Sequence, residues 1–227
     1  MMDSLSIKET VQLYNEKLLE FEQFLRSVIA FFEKHPNLNR KPFPVIHSIK
    51  SRFKDPEHLE SKLLRKFEEG NEINKNNLFD KITDLIGVRV LHLYQEQFIE
   101  INNAIQEKIT NGDWIFIEEP KAMTWDPESV VFFNKLGIAT ELRETFYTSI
   151  HYIVKPNNKN AVTSCEIQVR TLFEEIWGEI DHSINYPEKT ESLACKEQLR
   201  VLSKLVSTGT RLADAIFRTH KDFELNK

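Results

Sequence analysis

The run Ile86-Gly87-Val88-Arg89-Val90-Leu91-His92-Leu93 constrains this chain more than any other segment. Its β-branched and aliphatic residues predict a buried strand. One charge, Arg89, lies inside it, and a buried charge costs several kcal/mol unless it finds a partner. An acid, Asp84, stands at the strand mouth, where α/β sheets commonly receive ligands. A structural Asp–Arg ion pair accounts for the same two residues equally well.

Helical patterns surround this strand. Val11, Leu13, Leu18, Phe21, Leu25, Val28 and Phe32 recur at steps of mostly three and four, which predicts one amphipathic helix over residues 4–33. Pro36 and residues 37–44 break it. Asp55-Pro56-Glu57 predicts a helix start and a helix over 56–69, with 70–77 a polar loop. A helix of about 15 residues is expected from Gln95, then a strand at 114–117. Residues 120–142 read as an insertion with a short helix at 127–136. Ser149 to Val154 and Val162 to Val169 flank the turn residues Asn157-Asn158-Lys159-Asn160 and predict a hairpin. Helices over 172–185 and 193–220 close the chain. The order of elements predicts an α/β (α+β) domain with a mixed sheet.

Composition narrows the function. With 227 residues and 41% hydrophobic content, a sizeable core is available. Six glycines, and neither G-x-G-x-x-G nor G-x-x-x-x-G-K-[ST], exclude the glycine-rich nucleotide loops. Thirty Lys plus Arg against 35 Asp plus Glu give a net charge of −5, which excludes a generally basic nucleic-acid coat but not a local basic patch. Two cysteines, Cys165 and Cys195, are too few for a disulfide scaffold or a cysteine zinc site, so a reducing, cytoplasmic setting is expected. No apolar run approaches the roughly 18–20 residues of a membrane span, and the first residues lack the pattern of a signal peptide. No membrane association is expected.

Four clusters carry chemistry. Lys50, Arg52, Lys54, Lys62, Arg65 and Lys66 form a basic group. Arg52 and Lys54 share a face if extended, and Lys62, Arg65 and Lys66 share a helix face. Such a set suits a polyphosphate, with Lys as point charges and Arg as forks or stacking plates. Interleaved Glu57, Glu60, Glu68 and Glu69 equally describe a solvated helix face. Asp84 with Arg89 is the second cluster. In Cys165-Glu166-Ile167-Gln168-Val169-Arg170-Thr171, Glu166, Gln168 and Arg170 fall on one face of a strand, the makings of a polar cleft. Asp84 and Glu166 then become candidates for a Mg²⁺-binding carboxylate pair. A solvent-facing strand with cross-strand pairs is the alternative. The fourth cluster, Thr145-Phe146-Tyr147-Thr148-Ser149-Ile150-His151-Tyr152, offers Tyr147 and His151 for a base and a phosphate, or for core packing.

In this order the segments resemble the synthetase domain of the RelA/SpoT family, ATP-dependent pyrophosphotransferases that make pppGpp and ppGpp. The likeness rests on Ser51-Arg52-Phe53-Lys54 with Lys62 and Arg65, on Asp84 to Arg89, on Tyr147-Thr148-Ser149-Ile150-His151, on Glu166 to Thr171, and on Trp177 to His182. It implies a nucleotidyltransferase-like mixed sheet over residues 44–186, with helical extensions at 1–43 and 187–227. No His-Asp hydrolase segment precedes it, so a small, synthetase-only member is expected.

The resemblance also implies roles. Arg52 and Arg89 sandwich the adenine of ATP, and Lys54, Lys62 and Arg65 hold its phosphates. Asp84 binds Mg²⁺. Glu166 binds Mg²⁺ or, with a raised pKa, deprotonates the 3′-hydroxyl of GDP or GTP, which attacks the β-phosphorus and expels AMP. Tyr147 stacks on the acceptor base, and His151 and Gln168 line that pocket. Two departures from the family pattern bear on the acceptor. Arg143-Glu144-Thr145-Phe146 replaces the frequent Lys-x-Asn-Gly, which makes Arg143 the phosphate ligand. Glu175 stands where synthetases often present Asn or His, and a carboxylate accepts from the guanine N1 and N2 donors. Two alternatives remain: a toxin-like relative that pyrophosphorylates a tRNA 3′ end (with Arg40, Lys41 and Lys50 as footprint and the net negative charge opposing it) or another purine nucleotide, and a non-catalytic nucleotide-binding module. An apolar stripe, Leu199, Leu202, Leu205 and Val206, is read either as core or as a surface for a homo-oligomer.

Overall fold

The computed structural model describes residues 4–186 and 188–226. Two helices, α1 (Ser4–Glu16) and α2 (Leu18–Lys34), lead into strand β1 (Ser48–Phe53) and helix α3 (Pro56–Glu68). The short α4 (Leu78–Lys81) precedes β2 (Ile86–His92), and a single 3₁₀ turn (Gln95–Gln97) opens α5 (Phe98–Thr110). Then follow β3 (Trp114–Thr124), α6 (Pro127–Lys135), β4 (Ala139–Leu142), β5 (Ser149–Pro156), β6 (Cys165–Thr171), α7 (Leu172–Asn185) and α8 (Leu193–Leu225). The strands form one sheet in the order β1-β2-β6-β5-β3-β4. β2 runs parallel to β6 and β3 to β4, while the other neighbours are antiparallel, so the sheet is mixed.

The elements follow local chemistry. The Asp55 carboxylate accepts from the backbone N–H groups of Glu57 and His58, and Pro56 occupies the first turn of α3. Thr171 and Glu174 satisfy each other's backbone donors in a capping box at the start of α7. One face of the central strands is apolar: Val88, Val90, Ile167, Val169, Tyr152 and Val154 are buried in a core that includes Phe21, Val28 and Phe32 of α2 and Phe98 and Ile105 of α5. Tyr152 donates to Asn102 at 2.8 Å inside this core.

Three details differ from the sequence expectation. The helix over 4–33 is two helices, broken at Lys17. Its halves pack on different elements, α1 on α3 and α2 on β1 and β2, and Tyr14 is tethered through its hydroxyl to the carbonyl of Lys54. The strand at 114–117 runs on to Thr124 through two register shifts, around Glu118. Residues 120–142 therefore supply the end of β3, helix α6 and the edge strand β4, all tied to the sheet. The last helix continues past His220 to Leu225.

Candidate active site

The face opposite the core is polar across four strands. Register aligns Arg52 of β1 with Gly87 of β2 and Glu166 of β6, and Lys50 with Arg89, Gln168 and His151 of β5. Period-two alternation places all of these on one side of the sheet. Gly87 floors the middle row. A side chain there would meet the Arg52 guanidinium and the Glu166 backbone at 3.6 Å, filling the gap between them. The gap is a slot of about 170 Å³ lined by Lys50, Arg52, Gly87, Arg89, Glu166 and Gln168. Arg52 and Arg89 thus flank one opening.

Beside the slot the basic cluster closes on Asp84. Lys54 Nζ reaches Asp84 Oδ2 at 2.8 Å and Lys62 Nζ reaches Oδ1 at 2.8 Å. Burial alone raises the Asp84 pKa, but the two ammonium partners outweigh it and bring the group down to about 2. A groove lined by Arg52, Lys54, His58, Lys62, Arg65 and Tyr186 opens outward from this pair. Arg65 sits at its exposed edge, 3.9 Å from Glu69. The ring of His182 stacks on Tyr186 with centroids 4.6 Å apart, and His58 meets Tyr186 edge-on, so aromatic groups rim the cations.

On the other side of the slot Glu166 belongs to a closed ring of hydrogen bonds. Its Oε1 lies 3.1 Å from His151 Nδ1, and His151 Nε2 lies 3.0 Å from the Tyr147 hydroxyl. Arg170 Nη2 donates both to that hydroxyl and, at 2.6 Å, to Gln168 Oε1, while Gln168 Nε2 returns to Glu166 Oε2 at 2.8 Å. The Arg170 guanidinium also lies 4.7 Å from the centre of the Tyr147 ring. The raised pKa expected of Glu166 is not what the structure gives. Burial pushes it up, but the His151 hydrogen bond and charge, with help from Arg52, bring it below the usual carboxylate value. Asp84 raises it, which places the two carboxylates within electrostatic reach.

Glu175 also departs from expectation. It is 4% exposed, with Oε1 accepting from Lys50 at 2.8 Å and from Arg89 at 3.1 Å, and Oε2 accepting from Arg170 at 3.2 Å. Both oxygens are committed to protein cations instead of facing an acceptor pocket. Arg143 likewise turns aside, its Nη2 3.0 Å from both Met123 Sδ and Glu141 Oε1. Sequence reasoning gave no role to Glu179, placed Arg170 on the polar face without a role of its own, and offered Lys50 to a polyphosphate or a tRNA footprint but not to Glu175. The signal was present for Arg170, a charge in a strand that is 4% exposed and so needs several partners. Glu179 takes Arg89 at 2.7 Å from one turn beyond Glu175.

Residues 51–191 match the family described as a region found in RelA / SpoT proteins. The chain belongs to that family. A GTP pyrophosphokinase, YwaC of Bacillus subtilis (strain 168), is 23% identical over 188 residues, covering 79% of this chain and 78% of its own. Small alarmone synthetase 1 of Bacillus subtilis superposes with a TM-score of 0.67 at 15% identity, over 92% of this chain and 98% of that one. Its structure bound to its product pppGpp gives a TM-score of 0.61 at 17% identity, over 92% and 94%. The mixed sheet flanked by helices is therefore the RelA/SpoT synthetase fold. Among the described residues no helix is long and apolar enough to cross a membrane.

Proposed function

We propose that this chain moves the β,γ-pyrophosphate of ATP to the 3′-hydroxyl of GDP or GTP, releasing AMP and forming (p)ppGpp. One observation carries the reading: Glu166 sits between an arginine-flanked slot and a Tyr147–His151–Gln168 ring, within reach of Asp84 and its lysines. The slot suits the donor base, because guanidinium planes stack on aromatic rings. Lys54, Lys62 and Arg65 suit the phosphates. Tyr147, His151 and Gln168 suit the acceptor nucleoside.

The donor set suits Mg²⁺ in one particular way. Among the described residues no group of three or more His, Cys, Asp or Glu is placed to hold a metal ion. Asp84 and Glu166 are two hard oxygen donors, and Mg²⁺ commonly takes one or two carboxylates and completes its shell with substrate phosphates and water. Bound there, the ion supplies charge neutralisation at the phosphates. The protein's own groups do the rest. Bringing the 3′-oxygen in line with the β-phosphorus forms one P–O bond while the bond to the AMP oxygen breaks, and the leaving AMP carries off that electron pair. Lys54 and Lys62 neutralise charge on the transferred group. Glu166 orients the attacking hydroxyl and receives its proton late, since a loose transition state places little demand on early deprotonation. A carboxylate of lowered pKa is adequate for that task, and His151 fixes its rotamer.

The test is product identification with ATP, Mg²⁺ and an acceptor panel of GDP, GTP, GMP, ADP and bulk tRNA. AMP together with a 3′-pyrophosphorylated guanosine nucleotide is expected, and Glu166→Gln is expected to abolish it. AMP formation that depends on tRNA alone would reassign the acceptor, and no AMP with any acceptor would reject the enzyme reading.

A further inference from the structure

Glu175 links the two halves of the cleft through a single buried carboxylate. Its Oε1 holds Arg89, one wall of the donor slot, and Lys50, while its Oε2 holds Arg170, which carries Tyr147 and Gln168 of the acceptor ring. Arg89 has a second partner in Glu179 at 2.7 Å, so it has an alternative anchor when it moves. Among the described residues Arg170 has no second carboxylate in hydrogen-bonding contact, its other partners being Ser149, Gln168 and Tyr147. The helix that carries Glu175 makes room for this arrangement. Gly178, in mid-helix, is a costly residue for α7, and a Cβ there would stand 3.2 Å from Arg170 Nη1.

We infer that Glu175 is a positioning residue that couples donor binding to acceptor binding. The inference rests on the reading of the slot and ring given above. Three cations share one carboxylate, and each weakens the hold on the others. When a donor base draws Arg89 onto its face, Oε1 loses a partner and the carboxylate binds Arg170 more tightly. Arg170 then fixes the Tyr147 hydroxyl and the Gln168 amide in the geometry that receives the second nucleoside. Linkage makes the effect reciprocal, so the acceptor tightens the donor by the same factor.

Binding is measured by calorimetry on the intact protein with Mg²⁺, using α,β-methylene-ATP as donor probe and GDP as acceptor probe, each alone and each in the presence of the other. Wild type is expected to bind GDP about fivefold or more tightly once the donor analogue is present, the lower end of ordinary coupling factors. Glu175→Gln is expected to keep both ligands but reduce that factor to less than about twofold. Gly178→Ala, which changes no charge and displaces Arg170, is expected to reduce it too, whereas Glu179→Gln, which does not touch Arg170, is expected to preserve it. Two bound ligands with no coupling in wild type would overturn the inference whether or not a variant folds. Coupling unchanged in a folded Glu175→Gln protein would do the same. Failure of the donor analogue to bind would instead remove the functional reading beneath it.

Discussion

Asp84 holds two lysines in the free protein, and replacing it with Asn separates what those lysines do for the fold from what they do for a nucleotide. Lys54 and Lys62 each contact one carboxylate oxygen at 2.8 Å, and the pair of contacts takes the group from its usual 3.8 to about 2. At about 1.36 kcal/mol per pH unit this depression is worth about 2 kcal/mol of folding stability. Asp84 is only 20% exposed, so solvent screening removes little of it. The sign follows from proton binding. A carboxyl whose folded pKa is depressed stabilises above its unfolded value and loses that contribution as pH falls from about 4 toward 2. Asp84→Asn should therefore unfold at lower urea at pH 7, by about 2 kcal/mol, with the gap to wild type narrowing as pH drops through that window.

The same substitution should act oppositely on anion binding. In wild type, a triphosphate without metal must first draw Lys54 and Lys62 away from Asp84. In Asp84→Asn the lysines are free, so inorganic triphosphate in EDTA should bind more tightly, by up to about 30-fold if the whole 2 kcal/mol is returned. Turnover with Mg²⁺ should nonetheless be lost, because the proposed metal carboxylate is gone. Calorimetry with triphosphate in EDTA reads the effect directly. Weaker metal-free binding in the variant would refute the reasoning, since it would mean that Asp84 orients the lysines for phosphate rather than competing with it.

Arg52 is half exposed and, among the described residues, pairs with one acid, Glu166 at 3.9 Å, so Arg52→Ala should mainly remove a stacking plate. Donor KM should rise about 5- to 30-fold while acceptor KM stays within about twofold, measured by initial rates with each substrate varied; a rise confined to the acceptor would contradict the slot assignment. Tyr152→Phe should cost about 1–3 kcal/mol in urea unfolding, because Asn102 keeps a buried oxygen that loses its donor at 2.8 Å. Glu174 is pushed up to about 7 by burial, with the Thr171 hydrogen bonds opposing. A carboxyl raised above its unfolded 4.5 destabilises as pH climbs, so stability should fall between about pH 4.5 and 7 by up to about 3 kcal/mol, and Glu174→Gln should flatten that slope.

How much of this was legible in the sequence divides along physical lines. The strand Ile86–His92 and the face shared by Glu166, Gln168 and Arg170 were legible because period-two alternation is a property of the backbone alone. Helix α3 was legible because Asp55-Pro56 is a cap and a first-turn proline at once. The break at Lys17 was not, because the apolar steps run on through it and the cause is tertiary: α1 and α2 pack on different partners. The same limit applies in the site. Residue types in Lys54, Lys62 and Asp84 suggested a phosphate and metal chemistry, but nothing in their spacing said that the lysines would hold the acid in the free protein. Glu175 lies five residues beyond Arg170, and only the turn from β6 into α7 brings its carboxylate back over that guanidinium.

That difference changes how the cleft works. A net negative chain that binds two polyphosphates would be expected to keep its few cations uncommitted, yet Lys54 and Lys62 rest on Asp84, Lys50, Arg89 and Arg170 rest on Glu175, and Arg52 leans toward Glu166. Asp84, Glu166 and Glu175, with Glu179 beside them, offset more than half of that positive charge in the free cleft, which eases the repulsion of six cations on neighbouring strands and helices. Binding is then an exchange of one anion for another and not the filling of a positive void. Such an exchange favours a ligand that satisfies several cations together in one geometry. A single phosphate can replace one carboxylate, but in the binding mode proposed above a nucleoside polyphosphate with its metal would release Asp84 from Lys54 and Lys62 while its base occupied the slot between Arg52 and Arg89. On that proposal, selectivity for the donor resides in the carboxylates that must be displaced as much as in the cations that receive it.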